Sequence, residues 1–243
     1  MIYIYSANLK NEYEIYEKNA DEFEEMLSLL CEERRKKVDN MKQPKDKVRA
    51  LAAGIILQSG LYDYLSLSAG RKDVGHRHEK FMNSNRGLSE DALFRAGEMK
   101  KLRIDYGKNE KPYLPEYPGI HFNISHSGDY VVVALSCHPV GIDIQQKRIL
   151  SDALMEKYFT EKERNSGYEP FVLFSAKESY IKLTGEGMSR SFNDFSINLK
   201  TQTVRRQKET VAYVRMRELE AGEYALCICD KCKDIIAYSD LES

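Results

Sequence analysis

Two stretches place polar side chains where buried elements are expected. In VGIDIQ (Val140–Gln145) an apolar run suits a buried strand, yet Asp143 sits between Ile142 and Ile144. An ionised carboxylate in such a place is strongly destabilising unless something compensates it. Gln145, two residues on, projects from the same face of the strand. A carboxylate and a side-chain amide oxygen on one face are hard oxygen donors suited to Mg²⁺. The alternative is a strand-end Asp satisfied by backbone N–H groups or an Arg. In FVLFSAKESYIKL (Phe171–Leu183), Glu178 and Lys182 share a helix face. Read as an ordinary helical ion pair, they contribute only about 0.3–0.5 kcal/mol. The run Arg34, Arg35, Lys36, Lys37 reads as a solvated helix face, although such runs can also grip phosphate monoesters.

Other candidates carry less. His76 and His78 alternate in a polar, glycine-bearing stretch and read as solvated loop residues. Cys227, Cys229 and Cys232 form C-x-C-x-x-C, but inside a strand pattern and with no second Cys/His cluster following. They read as core and turn cysteines.

The elements that must position these residues follow from periodicity. Ile2–Tyr5 alternates as a strand that runs into a charged segment. Asp21–Val38 has Phe23, Met26, Leu27 and Leu30 at helical spacing. Gln43-Pro44 breaks the chain before a long helix over Asp46–Leu65. Ser66–Lys101 begins as a polar loop and holds a short helix within Leu88–Leu102. Ile104–Pro118 is rich in Gly, Lys and Pro and marks a domain boundary. Beyond it, His121–Gln145 reads as strand, polar turn, strand, Pro turn and strand. Leu150–Tyr158 is helical, Thr160 starts another helix, and Gly185-Glu-Gly187 stops the helix over Phe171–Leu183. The tail, Asp194–Ala237, is a run of strands. This gives a mixed α/β (α+β) chain in two parts, 1–118 and 119–243.

Composition excludes several classes. The chain has 243 residues, 42% hydrophobic and 31% charged, enough for a core or for two of roughly 120 residues each. A net charge of −1 argues against a general nucleic-acid binder. No apolar run approaches the ~20 residues of a membrane helix. Five Cys, an odd count, and no signal-peptide pattern lead to the expectation of reduced thiols in the cytoplasm.

Taken in order, the motifs resemble one family. Glu110-Lys111-Pro112-Tyr113 leads into FNISHS (Phe122–Ser127). Then come GIDIQ (Gly141–Gln145), FSAKESYIK (Phe174–Lys182) and GEGMS (Gly185–Ser189). Their order and spacing over roughly residues 107–199 resemble the Sfp-type 4′-phosphopantetheinyl transferases, with a weaker likeness over Ser28–Leu57. Gln145 stands where that family usually has Glu, and against that family Ser66–Lys101 reads as a long insertion (66–101) in the first part.

The resemblance implies a fold of two similar subdomains related as a pseudo-dimer, with the active site in the cleft between them, and a monomer. It implies an enzyme that takes coenzyme A and an apo acyl or peptidyl carrier protein. The 4′-phosphopantetheine arm moves to a carrier serine and adenosine 3′,5′-bisphosphate is released. It also implies a metal site of Asp143, Glu178 and Gln145 for Mg²⁺, with Mn²⁺ as the alternative ion. Glu178 is then the base for the serine hydroxyl, and Lys182 meets the leaving phosphate. Lys111, Ser125, His126 and Lys177 grip nucleotide phosphates, and Arg34, Lys37 and Arg49 the 3′-phosphate. Two other readings stay open: a metal-dependent phosphatase or nucleotidyl transferase using Asp143 and Glu178, and a non-catalytic module that binds carrier protein and coenzyme A.

Overall fold

Helices and strands take up most of the chain in a computed structural model that describes residues 2–68, 77–84, 87–187, 191–233 and 235–237. In chain order they are β1 (Ile2–Asn8), α1 (Lys10–Lys18), α2 (Ala20–Ser28), α3 (Glu32–Asp39), α4 (Pro44–Ser68), β2 (Arg77–Ser84), α5 (Glu90–Glu98), β3 (Asp105–Tyr106), β4 (Pro112–Tyr113), β5 (His121–Ser127) and β6 (Tyr130–Ser136). Then follow β7 (Gly141–Gln146), α6 (Asp152–Tyr158), α7 (Glu161–Arg164), α8 (Pro170–Thr184), β8 (Ser196–Asn198), β9 (Thr203–Arg206), β10 (Glu209–Leu219), β11 (Tyr224–Asp230) and β12 (Ile235–Ala237). The chain divides into two compact units. The first is Met1–Tyr106, Pro112–Cys137 and Ile235–Ser243, and the second is Gly107–Lys111 and His138–Asp234.

The first unit holds a five-stranded sheet in the order β12-β2-β1-β6-β5. β2 runs parallel to β1 and β12, and β6 runs antiparallel to β1 and β5. Every residue of β1 and β6, two interior strands of this sheet, is buried. The long helix α4 packs on β6 and β1, with α3 and α5 beside it.

In the second unit, β7-β11-β10-β9-β8 form an all-antiparallel sheet. Helix α8 lies across β7 and β11. Pro170 starts this helix, where its missing N–H costs nothing, and Gly185 ends it in the left-handed conformation at φ 69°.

Several sequence expectations are corrected here. The single helix expected over Asp21–Val38 is two, α2 and α3. Buried Gln58 satisfies the backbone at the break: its Oε1 accepts from Cys31 N at 2.8 Å and its Nε2 donates to the Leu29 carbonyl at 2.9 Å. The charged segment after β1 is a helix, α1, whose polar composition hid it. Within Ser66–Lys101, β2 completes the first sheet and α5 packs on α4. Residues 69–76, with His76, lie outside the described residues, as does the side chain of His78. β12 joins the first sheet, not the second, and residues 119–137 belong with the first unit, so the contact pattern breaks after Cys137.

Candidate functional site

The site is built where α8 meets β7. A Cβ at Gly141 would overlap the Ser179 carbonyl oxygen, so only glycine lets the helix backbone lie this close to the strand. Ser175, also small and buried, donates its hydroxyl to the Asp143 carbonyl at 3.0 Å. Strand alternation then puts Asp143 and Gln145 on the Gly141 face, the one that α8 covers.

Asp143 is 2% exposed. Lys182 Nζ, in the last turn of α8, lies 2.7 Å from Asp143 Oδ1, and Gln145 Nε2 donates to Oδ2 at 2.9 Å. The buried acid thus has a cationic partner within the protein, one that neither sequence reading named. Glu178 stands one turn before Lys182 and is half-buried. Burial pushes its carboxyl up from the usual carboxylate range, the negative charge of Asp143 adds to this, and the charge of Lys182 opposes it. Two carboxylates that repel one another across a half-buried site favour a further cation, and their hard oxygens suit Mg²⁺ or Mn²⁺. Among the described residues no three His, Cys, Asp or Glu side chains are grouped as a metal site. The fitting set is therefore two carboxylates with the neutral amide of Gln145, which here turns its nitrogen to Asp143. Rotating the amide would present its oxygen instead.

Lys177 is corrected. It is not a phosphate ligand, because it is 0% exposed and its ammonium is fully engaged. Nζ donates to the carbonyls of Phe192 at 2.7 Å and Phe195 at 3.0 Å, and pairs with Glu163 Oε2 at 2.9 Å. Burial pulls its ammonium down, and Glu163 opposes that. Glu163, itself 2% exposed, also accepts from Thr160 N at 2.8 Å, Thr160 Oγ1 at 2.8 Å and Ile197 N at 2.7 Å. Sequence reasoning missed Glu163 as the partner of Lys177. The Thr160-x-x-Glu163 capping pattern was visible, but nothing in it pointed to a lysine fourteen residues on.

Lys111, expected on a phosphate, instead donates to the carbonyls of Lys182 and Leu183, both at 2.9 Å. Burial pulls its ammonium down.

The remaining candidates lie in the first unit. Arg49 is brought to the turn between β5 and β6: Nε and Nη2 both donate to the Gly128 carbonyl, at 3.1 and 2.8 Å. His126, at the end of β5, is exposed, while Ser125 is buried beside it. Arg34 is corrected: it points into the interior rather than to solvent. Its Nη2 donates to the Ala50 carbonyl at 3.0 Å, its Nε is buried without a hydrogen-bond partner, and burial lowers its pKa. Lys37 is exposed on α3 and lines a surface depression of about 310 Å³ with Glu33, Lys36, Asn40, Met41 and Tyr106.

The comparison with known proteins decides what this arrangement belongs to. The sequence profile of the 4′-phosphopantetheinyl transferase superfamily matches residues 139–229. A 4′-phosphopantetheinyl transferase of Bacillus subtilis is 32% identical over 151 residues, covering 56% of this chain and 67% of that protein. The chain belongs to the 4′-phosphopantetheinyl transferase superfamily. Further relatives agree. The transferase Sfp of Bacillus subtilis (strain 168) is 27% identical over 186 residues, 67% of this chain and 81% of its own length. That of Aneurinibacillus migulanus is 37% identical over 151 residues, 58% of this chain and 59% of its own. The stretch matched by the superfamily profile contains Asp143, Gln145, Glu178 and Lys182, and equally the Glu163–Lys177 pair. It thus covers both the open face of α8 and the network that buries the other. Of the GEGMS motif, Met188 and Ser189 lie outside the described residues.

Proposed function

We propose that this chain transfers the 4′-phosphopantetheine arm of coenzyme A to a serine hydroxyl of an apo acyl or peptidyl carrier protein. The products are holo carrier and adenosine 3′,5′-bisphosphate. In the reaction the serine Oγ bonds to the phosphorus bearing pantetheine. The bond from that phosphorus to the bridging pyrophosphate oxygen breaks, and the serine proton is taken up. Such transfers depend on positioning and charge neutralisation more than on covalent chemistry.

The observation that carries the reading is the grouping of Asp143, Glu178 and Lys182 within the stretch matched by the superfamily profile. Glu178 takes the serine proton. Lys182, oriented by Asp143, faces the charge that builds on the leaving phosphate. Asp143 and Glu178, with the amide oxygen of Gln145, would hold Mg²⁺, which supplies neutralisation of the pyrophosphate charge. Among the first unit's candidates, His126, Ser125, Arg49 and Lys37 are assigned to the coenzyme A phosphates. Arg34 and Lys177 are not, since both ammonium and guanidinium groups lie in the interior.

The test is the intact mass of several apo carriers after incubation with the chain, coenzyme A and Mg²⁺. A gain of one phosphopantetheine on the acceptor serine is expected. Coenzyme A binding with no gain on any carrier would leave the binding-module reading.

A further inference from the structure

The residues Gly107–Lys111 belong with the second unit, although the chain on either side of them belongs to the first. They form a tight turn. Gly107 N donates to the Lys111 carbonyl at 3.0 Å, and Asn109 and Glu110 both take left-handed backbone angles, φ 57° and 58°. Side chains other than glycine persist in that region where the surroundings over-determine it. Here the surroundings are the end of α8. Lys111 Nζ donates to the carbonyls of Lys182 and Leu183, both at 2.9 Å, and Asn109 Nδ2 donates to the Gly185 carbonyl at 2.9 Å. The last carbonyls of a helix have no intrahelical N–H partner, and a cation there also meets the negative end of the helix dipole. A Cβ at Gly185 would stand 2.9 Å from Lys111 Cδ, so this glycine serves both the left-handed cap and the approach of the lysine stem.

Two of the three donors of the Lys111 ammonium are therefore on main-chain oxygens, one of them the carbonyl of Lys182 itself. The side chain of Lys182 leaves that same turn to reach Asp143. We infer that Lys111, aided by Asn109, is a positioning residue for the transfer: it fixes the last turn of α8 and so the point from which Lys182 reaches Asp143. The role in turnover rests on the transferase reading. The clamp on the helix end does not.

Lys111→Met keeps the apolar stem and removes the charge and donors, while Lys111→Arg keeps both. Hydrogen exchange of the full chain without substrate should show the amides at the end of α8 exchanging roughly tenfold or more faster in Lys111→Met, with α4 unchanged. With an apo carrier and Mg²⁺, kcat should fall about 10- to 100-fold, because a small displacement of a reacting group carries that penalty, while KM for coenzyme A stays within about twofold. Lys111→Arg should recover most of kcat. A raised KM with unchanged kcat would overturn the inference and make Lys111 a ligand of the coenzyme. So would unchanged exchange together with unchanged kcat. If Lys111→Met does not fold, Asn109→Ala decides: a smaller loss of kcat at constant KM supports the clamp, and no loss overturns it. If the wild-type chain transfers nothing, the transferase reading falls, and the exchange experiment alone decides the clamp.

Discussion

Helix α8 carries two lysines five residues apart that have opposite fates. Lys177 is wholly enclosed, with its three protons on the Phe192 and Phe195 carbonyls and the Glu163 carboxylate. The Lys182 side chain is 27% exposed and reaches Asp143, itself flanked by Gln145, near half-buried Glu178. Charge and residue type are the same. What differs is saturation. A fully satisfied buried charge holds packing in place and has nothing left to offer a ligand. A charge set between two carboxylates at a partly exposed site retains the capacity to meet a substrate.

The largest expected effect breaks the open face. Asp143→Ala or Glu178→Ala should lower the transfer rate by on the order of 10²–10³ or more, with thermal stability little changed. Steady-state turnover at saturating Mg²⁺ checks this, and normal rates in both variants would remove them from the site. The second breaks the closed face. Lys177→Met leaves Glu163 buried without its cation and should cost about 3–5 kcal/mol of stability, read from chemical denaturation. KM for coenzyme A should not move. A stable variant with a raised KM would return Lys177 to the ligand.

The next sharpens the open face. Gln145→Glu adds a carboxylate beside Asp143 and should lower the Mg²⁺ or Mn²⁺ concentration for half-maximal activity. An unchanged titration would show that the side chain does not meet the ion. The smallest effect concerns the surface that follows β7. We expect the carrier to dock on the segment Leu150–Phe174, in which Phe159 and Phe171 lie in the core and Tyr158 packs edge-on against Phe174. Leu154 and, just outside that segment, Ile149 at 99% remain exposed, and so are Lys157, Lys162 and Arg164. Reversing the charges of Lys162 and Arg164 together should raise KM for the carrier a few-fold at low salt and leave KM for coenzyme A unchanged. No change at low ionic strength would place carrier docking elsewhere.

The residues proposed to carry chemistry stand out in the sequence because they contradict their elements. An acid between two isoleucines asks for a partner, and residues four apart on a helix share a face whatever the tertiary structure. The α+β class followed from periodicity, and the end of α8 from Gly185. What stayed hidden depends on contacts between distant segments. Lys177 and Lys182 look alike in sequence, and only the positions of Glu163, Phe192 and Phe195 separate them. Arg34 sits in a basic run that composition assigns to solvent, yet α4 buries it. Helix α1 was masked by charge, and β12 joined a sheet more than a hundred residues away in sequence because pairing partners of edge strands leave no local pattern.

The contrast between the two lysines is tested most directly by the transfer rate per folded molecule. It should be measured with one apo carrier and saturating coenzyme A and Mg²⁺, at a temperature low enough for the variants to be folded by near-ultraviolet circular dichroism. The account predicts that Lys182→Met loses roughly a hundredfold or more, and that folded Lys177→Met stays within about tenfold of wild type. Equal losses in both variants, or a larger loss in folded Lys177→Met, would contradict it.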